Sequence, residues 1–276
     1  VRKADLHIHT YYSDGRFSPA EIVERAKKRN LAAISITDHD TYEAYEETCE
    51  ATKDTDIKVI PGAEFTADFE GREVHLLAYN FNPKSTLMLE LVDFQRNLRE
   101  DRAEAMVKQL EQMDVHLSMD DVKEIADGAV ISRPHLAVAL RNKGYVRHFK
   151  EAFYKYLGND KPGYVKSDHL DVSQIIKKVH LAGGVTSIAH PGRNISTKEI
   201  EKMIDVGLDG IEVIHPSHQY AFQKKFEQLA DYYDLLKTGG SDFHGRSRME
   251  ESQFGIVAIN PNWVQQILER RALTVN

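Results

Sequence analysis

The sequence predicts an α/β fold in which alternating strands and helices close into a barrel-like enclosure, interrupted by a mainly helical insert. Short apolar runs alternate with helical stretches in both halves of the chain, as in a parallel sheet with right-handed crossovers. Polar clusters recur at the C-terminal ends of those runs, which is how a barrel builds one site from several strands. Between residues 85 and 168 the pattern becomes mainly helical, so the barrel is read as 1–84 and 169–276, with 85–168 as an insert covering the site.

The first run, Ala4 to Thr10, predicts a strand with His7 and His9 on one face and Leu6 and Ile8 on the other. Asp14, in the turn-prone Ser13-Asp14-Gly15 segment, can curl back over the same end. Ser18, Pro19 and Glu21 form a helix start, and that helix runs to about Asn30, burying Ile22, Val23 and Ala26. Leu31 to Ile36 is a strand that delivers Thr37-Asp38-His39-Asp40. A helix then runs to about Lys53, and Ile57 to Ile60 leads into Pro61-Gly62-Ala63-Glu64. Phe65–Asp68 and Glu73–Tyr79 pair as a hairpin across Glu70-Gly71, with Glu64 near one end and His75 in the second strand.

In the insert, Leu87, Leu91, Phe94 and Leu98 repeat at helical spacing, while Ser118–Asp121 and Ser132-Arg133-Pro134 open further helices. Alternation resumes with a helix over Asp171–Ala182 and a strand over Val185–Ala189 ending in His190-Pro191-Gly192-Arg193. A strand over Gly210–Ile214 ends in His215-Pro216-Ser217-His218, and Leu236–Thr238 ends in Gly239-Gly240-Ser241-Asp242-Phe243-His244. A last strand is expected over Phe254–Ile259, before a C-terminal helix around Trp263.

Composition narrows the function classes. A formal charge of −7 disfavours the broad basic face that duplex DNA requires, but not a phosphorylated substrate that bound cations could neutralise. No run approaches a membrane span or a secretory leader, and Cys49 is the only cysteine, so a cytoplasmic protein without disulfides is expected. A cysteine-rich zinc site is excluded.

The candidate metal ligands are His7, His9, Asp14, His39, Glu64, His75, His190, Asp242 and His244. Each alone reads more readily as a hydrogen-bonded buried polar group or a solvated loop residue than as a ligand. Together they would crowd uncompensated charge into one place unless divalent cations were bound there. The mixed nitrogen and oxygen donors suit Mn²⁺, Fe²⁺ or Zn²⁺.

The ordered motifs Asp5-Leu6-His7-Ile8-His9-Thr10, Ile36-Thr37-Asp38-His39, Pro61-Gly62-Ala63-Glu64, Ala189-His190-Pro191 and Ser241-Asp242-Phe243-His244 resemble the PHP family, named for its polymerase and histidinol phosphatase members. The resemblance implies a distorted seven-stranded (β/α)7 barrel with two to three divalent ions, Mn²⁺ first among them. It places His7, His9, Glu64 and Asp242 on one ion. Glu64 would bridge to a second held by His75 and His190, with Asp14, His39 and His244 on a third. The insert, with Ile131-Ser132-Arg133-Pro134-His135 and Lys161-Pro162-Gly163-Tyr164-Val165, looks like the branch that hydrolyses nucleoside 3′,5′-bisphosphates, related members of which trim short RNA from the 5′ end. The chain departs from that branch's Ser-Pro-Tyr-His pattern in carrying Ser217 before His218.

Phosphate-ester hydrolysis needs a nucleophile at neutral pH, neutralised phosphoryl oxygens and help for the departing alkoxide; divalent ions supply the first two. For the third, His218 is the candidate general acid, with a solvent-exposed loop histidine as the competing reading. Arg133 and His135, in the first turn of a helix, are expected to grip a phosphate, and Arg193, next to His190, to touch the same or a second one. Lys161 is a further substrate-binding candidate. Arg133 reads alternatively as the partner of an insert carboxylate. Arg96, Arg99 and Arg102, interleaved with Glu100, Asp101 and Glu104, are expected to form a solvated, salt-bridged helix face. His116, His148, His169 and His180 are read as structural.

The expected function is thus a metal-dependent phosphoesterase removing the 3′-phosphate of a nucleoside 3′,5′-bisphosphate, with short RNA as a second substrate. The other readings are a histidinol-phosphate or other small-molecule phosphatase, and a metal-bound accessory domain without turnover.

Overall fold

Strand β1 (Ala4–Ile8) forms one edge of a parallel sheet with β2 (Ala33–Ile36) and β3 (Lys58–Val59) in the computed structural model, which describes residues 2–270. Leu6 and Ile8 are fully buried, as expected, but so are His7 and His9, so both faces of this segment lie inside the protein. His9 sits just past the end of the strand. Helix α1 (Pro19–Lys28) starts at the Ser18/Glu21 capping box with Pro19 in its first turn, and it buries Ile22, Val23 and Ala26. Helix α2 (Ala44–Ala51) follows β2.

The second sheet has the order β4 (Gly62–Phe69), β5 (Arg72–Tyr79), β6 (Val185–Ile188), β7 (Gly210–Ile214) and β8 (Leu236–Gly239). β4 and β5 pair as the expected antiparallel hairpin, but β5–β6 is antiparallel as well, so in this sheet the parallel expectation holds only for β6, β7 and β8. The hairpin has a local cause. Glu70 and Gly71 both take left-handed backbone conformations, with φ of 51° and 83°, giving the tight two-residue turn that matches strand twist and sends β5 back along β4. Parallel bridges between Ile8 and Phe243 and between His39 and Glu64 tie the two sheets together at their site-bearing ends.

The insert contributes α3 (Thr86–Glu111), α4 (Met119–Ala126), α5 (Arg133–Asn142) and α6 (Phe149–Ala152), the last running into a π-helical turn, Phe153–Leu157. It has its own core of Met106, Leu110, Val122, Leu136, Leu140 and Leu157. The start of α3 belongs elsewhere: Met88 and Leu91 pack with Phe65, Leu76 and Ile188 beneath the second sheet. One helix therefore joins both cores, and each buried Leu or Phe adds roughly 1.5–3 kcal/mol to that union.

Helices α7 (Val172–Leu181), α8 (Thr197–Asp205) and α9 (Tyr220–Tyr232) fill the later crossovers, followed by α10 (Arg248–Gln253) and α11 (Pro261–Glu269). The strand expected over Phe254–Ile259 does not form. Gly255 has a left-handed φ of 69°, breaking the extended run, and only Ile259 makes a bridge, antiparallel to Ala4. Gly255 is also tightly placed, since a Cβ there would lie 2.8 Å from Cβ of Arg29. Among the described residues no helix is long and apolar enough to cross a membrane.

Candidate active site

The strand ends bring the nine candidate ligands into one cluster. Glu64 is its centre: Oε1 lies 3.0 Å from His75 Nδ1 and 2.9 Å from His190 Nε2, while Oε2 lies 3.1 Å from His39 Nδ1, 3.4 Å from His9 Nε2 and 3.5 Å from His7 Nε2. The hairpin register explains part of this. Thr66 pairs with His75, so Glu64, two residues away, is a diagonal neighbour of His75 on the same face. Asp242 Oδ1, delivered by the loop after β8, is 3.4 Å from His7 Nε2 and 3.2 Å from His9 Nε2. Asp14 curls back over the end of β1, with Oδ1 3.2 Å from His244 Nε2 and 4.0 Å from His39 Nε2. His190 and Asp242 hold left-handed backbone conformations, with φ of 29° and 49°.

Groups able to hold a cation are His9–Asp14–His39–His244, His7–His9–Glu64, His39–Glu64–His75 and His7–His215–Asp242. Two observations fit these groups to cations. Among the described residues, His7 Nε2, both nitrogens of His9, Asp14 Oδ1 and His39 Nδ1 are buried without a hydrogen-bond partner. Such orphaned donor atoms are costly unless something coordinates them. The charge balance agrees. Burial opposes protonation of His75 and His244, but Glu64 pushes His75 up to about 10 and Asp14 pushes His244 up to about 9. Burial likewise opposes ionisation of Glu64 and Asp14, yet the neighbouring imidazoles, led by His39 for Glu64 and His244 for Asp14, hold both well below the usual carboxylate range. Burial holds His9 and His39 below the ordinary imidazole range, so neutral ring nitrogens stand beside the ionised carboxylates.

Supporting residues outside the nine candidate ligands complete it. Buried Glu212 on β7 has Oε1 2.8 Å from His7 Nδ1 and accepts the His190 N–H through Oε2 at 2.6 Å. Asp38 accepts from the Thr10 N–H at 2.7 Å and from the hydroxyls of Thr10 and Ser13, fastening the loop that carries Asp14. His215 lies beside Asp242, its Nε2 3.2 Å from Oδ2.

Next to the cluster is a small cavity of about 80 Å³ lined by Asp14, His39, Glu73, His75, Arg99, Arg102 and Arg133, among others. Arg99 and Arg102 therefore correct the solvated-face expectation. Arg99 is largely buried against Asp40 and donates to Thr66 Oγ1 at 2.8 Å. Arg102 donates to Glu73 Oε2 at 2.8 Å and to the Val165 carbonyl at 2.9 Å, leaving its Nη2 buried and unpartnered. Only Arg96, paired with Glu43, behaves as expected. Arg133 donates to Glu73 Oε1 at 3.2 Å, and His169, also buried, has Nε2 3.7 Å from Glu73 Oε2.

Comparison with known proteins decides the family. A sequence profile of the PHP domain matches residues 5–161. The chain belongs to the PHP domain family. It is 36% identical to a 5′-3′ exoribonuclease of Haemophilus influenzae, covering 88% of this chain and 90% of the relative. It is also 32% identical to a 3′,5′-nucleoside bisphosphate phosphatase of Chromobacterium violaceum, over 87% of this chain and 86% of that one. A crystal structure from Bifidobacterium adolescentis, of a protein expected to be a metal-dependent phosphoesterase, superposes with a TM-score of 0.88 at 32% identity, covering 97% and 96% of the two chains. The PHP chain described here is accordingly a metal-dependent phosphoesterase, a hydrolase of phosphate esters.

The remaining candidates fall differently around this PHP site. His135 is buried, and its Nδ1 accepts the Ser132 N–H at 3.1 Å, so that nitrogen caps the helix. His218 is buried as well: Nδ1 lies 3.0 Å from the Val213 carbonyl and Nε2 accepts the Gly192 N–H at 3.1 Å. With both ring nitrogens engaged and its basicity lowered by burial, His218 has no proton directed at a substrate. The sequence reading of His218 as a solvent-exposed loop residue does not hold either. Arg193 is exposed, with its guanidinium 5.8 Å from the Phe222 ring, and Lys161 is exposed; neither lines the cavity beside the cluster.

Proposed function

We propose that this chain removes the 3′-phosphate of nucleoside 3′,5′-bisphosphates and, by the same cleavage, trims short RNA from its 5′ end. One observation carries the reading: the cavity that adjoins the ligand cluster is walled by Arg99, Arg102 and Arg133, and Arg102 keeps one buried guanidinium nitrogen without a partner among the described residues. A substrate with two phosphates has one for each place. The names of the Haemophilus and Chromobacterium relatives support the same choice.

In this reading His7, His9, Asp14, His39, Glu64, His75, His190, Asp242 and His244 hold two to three divalent ions, with Mn²⁺ first and Fe²⁺ or Zn²⁺ suited to the same donors. When bound, such ions supply Lewis acidity toward the phosphoryl oxygens and make water acidic enough to act near neutral pH. The protein's own groups do the rest. Arg102 and Arg133 bind the 5′-phosphate, with Glu73 fixing the direction of both guanidinium groups. Arg99, held by Asp40, adds charge at the cavity wall. Glu212 keeps the proton on His7 Nδ1 and so directs Nε2 inward. His218 is a positioning residue that sets the turn after His190 through Gly192.

The two sheets, joined at Ile8–Phe243 and His39–Glu64, read as arcs of a distorted barrel, with residues 85–168 as the cover. A cytoplasmic nucleotide pool is the setting this substrate implies. The test is phosphate release from adenosine 3′,5′-bisphosphate with Mn²⁺, compared by kcat/KM with histidinol phosphate and a 5′-mononucleotide. Preference for the bisphosphate supports the reading, equal or greater turnover of histidinol phosphate refutes it, and absence of turnover on every substrate would favour an accessory domain.

A further inference from the structure

An open groove of about 1200 Å³ shares Asp14 and Pro134 with the arginine cavity. It runs between α5, the start of α6 and the loop into α10. Its rim carries Arg16, Arg141, His148 and Lys150, all exposed. None of the four has a carboxylate within 4.0 Å among the described residues, whereas Arg25, Arg72, Arg96, Arg99, Arg102, Arg133 and Arg246 all do.

The two carboxylates lining the groove are already engaged. Asp14 pairs with Arg246 and His244, and Glu250 accepts the backbone N–H groups of His244 and Arg246. In a chain of net charge −7 this is a concentrated basic track. It also has apolar surface, with Val138 and Met249 beside Phe149, whose ring has the Arg246 guanidinium 5.5 Å from its centre. Unpaired cations beside an aromatic ring are what single-stranded nucleic acid binds, phosphates on the charges and bases on the flat groups.

We propose that this groove holds the nucleotides downstream of the scissile phosphate in a single-stranded oligoribonucleotide. The proposal rests on the phosphoesterase reading above and extends it to the path of the strand. Hydrolysis at the first nucleotide adds the oxygen of water to phosphorus and breaks the P–O3′ bond. The departing O3′ gains a proton, and the phosphate stays with the rest of the strand as a new 5′ end. In a bisphosphate the position on phosphorus that faces away from the first nucleoside is a bare oxygen. In RNA it carries the next nucleoside's O5′, so the substrate needs a path away from the cluster, and the groove is assigned that path because it shares Asp14 with the cluster. Its volume exceeds the roughly 300–1,000 Å³ that encloses a single small ligand, as a track for several nucleotides requires.

The test uses the Arg141→Glu/Lys150→Glu double variant of the full chain; both side chains are exposed and neither has a carboxylate partner among the described residues, so folding is retained. Anisotropy of a fluorescent, 5′-phosphorylated pentaribonucleotide on the metal-free protein reads the groove independently of turnover. Binding should weaken at least about tenfold, the slope of log K against log salt should become shallower by about 1.4, and kcat/KM for the bisphosphate should stay within about twofold. Arg141→Lys/Lys150→Arg should bind like the native chain. Unchanged oligonucleotide binding in the charge-reversal variant overturns the proposal, and so does equal binding of an acidic peptide by the native chain. If the native chain fails to hydrolyse the bisphosphate, the functional reading falls while the anisotropy result still decides the groove.

Discussion

His7 Nδ1 and Glu212 Oε1 are 2.8 Å apart in a fully buried contact, with Glu212 on β7 reaching across to the strand that opens the chain. A carboxylate behind a ligating histidine fixes its tautomer and raises its basicity. Glu212→Gln should therefore lower metal affinity about 10–100-fold, because an amide also leaves the His190 N–H with a weaker acceptor. Metal content after dialysis against graded chelator measures this. Retention equal to the native chain would show that Glu212 only fills space.

His39 and Asp242 touch different parts of the cluster, one beside Glu64 and Asp14, the other beside His7, His9 and His215. Alanine at either should cut phosphoesterase turnover at least about a hundredfold while leaving a folded protein by circular dichroism. Chelation should abolish turnover in the native chain, and Mn²⁺ should restore it. The ion should also raise the melting temperature, since saturation to about 100 Kd stabilises the folded state by about 2.7 kcal/mol. A chelator-resistant activity would remove metals from the reaction.

Arg102 donates to Glu73 yet keeps one nitrogen free. For a bisphosphate substrate Arg102→Ala should raise KM about tenfold or more, and Arg102→Lys should recover little, because a lysine cannot reproduce the planar fork. Steady-state kinetics on adenosine 3′,5′-bisphosphate decides, and an unaltered KM would move the phosphate elsewhere.

The insert carries an acid-sensitive pair of carboxylates. Hydrogen bonding to Lys143 and Ser118 pulls Asp121 down from 3.8 to about 2, and Lys155 pulls Glu151 from 4.5 to about 2. Both folded values lie below the unfolded ones, so these contacts contribute stability above about pH 4.5 and lose it as pH falls toward 2. Both groups are partly exposed, and solvent screening keeps the effect small. Melting curves of native and Asp121→Asn/Glu151→Gln chains should differ at pH 6 and converge near pH 2. A gap that persists at pH 2 would assign the difference to something other than ionisation.

Local signals made much of the fold legible. Ser18–Glu21, Ser118–Asp121 and Asp171 start helices where their side chains can cap them, and Glu70-Gly71 makes the hairpin turn. What local pattern does not contain is the identity of a residue's neighbour. Arg99 and Arg102 carry acidic neighbours along the helix, yet their partners Asp40 and Glu73 come from distant segments. Phe254–Ile259 has the composition of a strand, but Gly255 turns left-handed against Arg29. For Glu212 a signal existed: a lone carboxylate within the apolar run Gly210–Ile214 must face either water or a partner, and here it is fully buried. His218 is the converse, a polar side chain whose loop position suggested chemistry while its hydrogen bonds are all to backbone.

The left-handed backbones of His190 and Asp242 place strain at two ligand positions. Non-glycine residues there cost of order 1–3 kcal/mol each, tolerated only while their surroundings insist on it. Once cations are stripped, the peptides around these two ligands should be free to relax. Amide exchange should accelerate there first on demetallation, ahead of the hairpin that carries Glu64 and His75, so that loss of cofactor begins as a loosening of two loops.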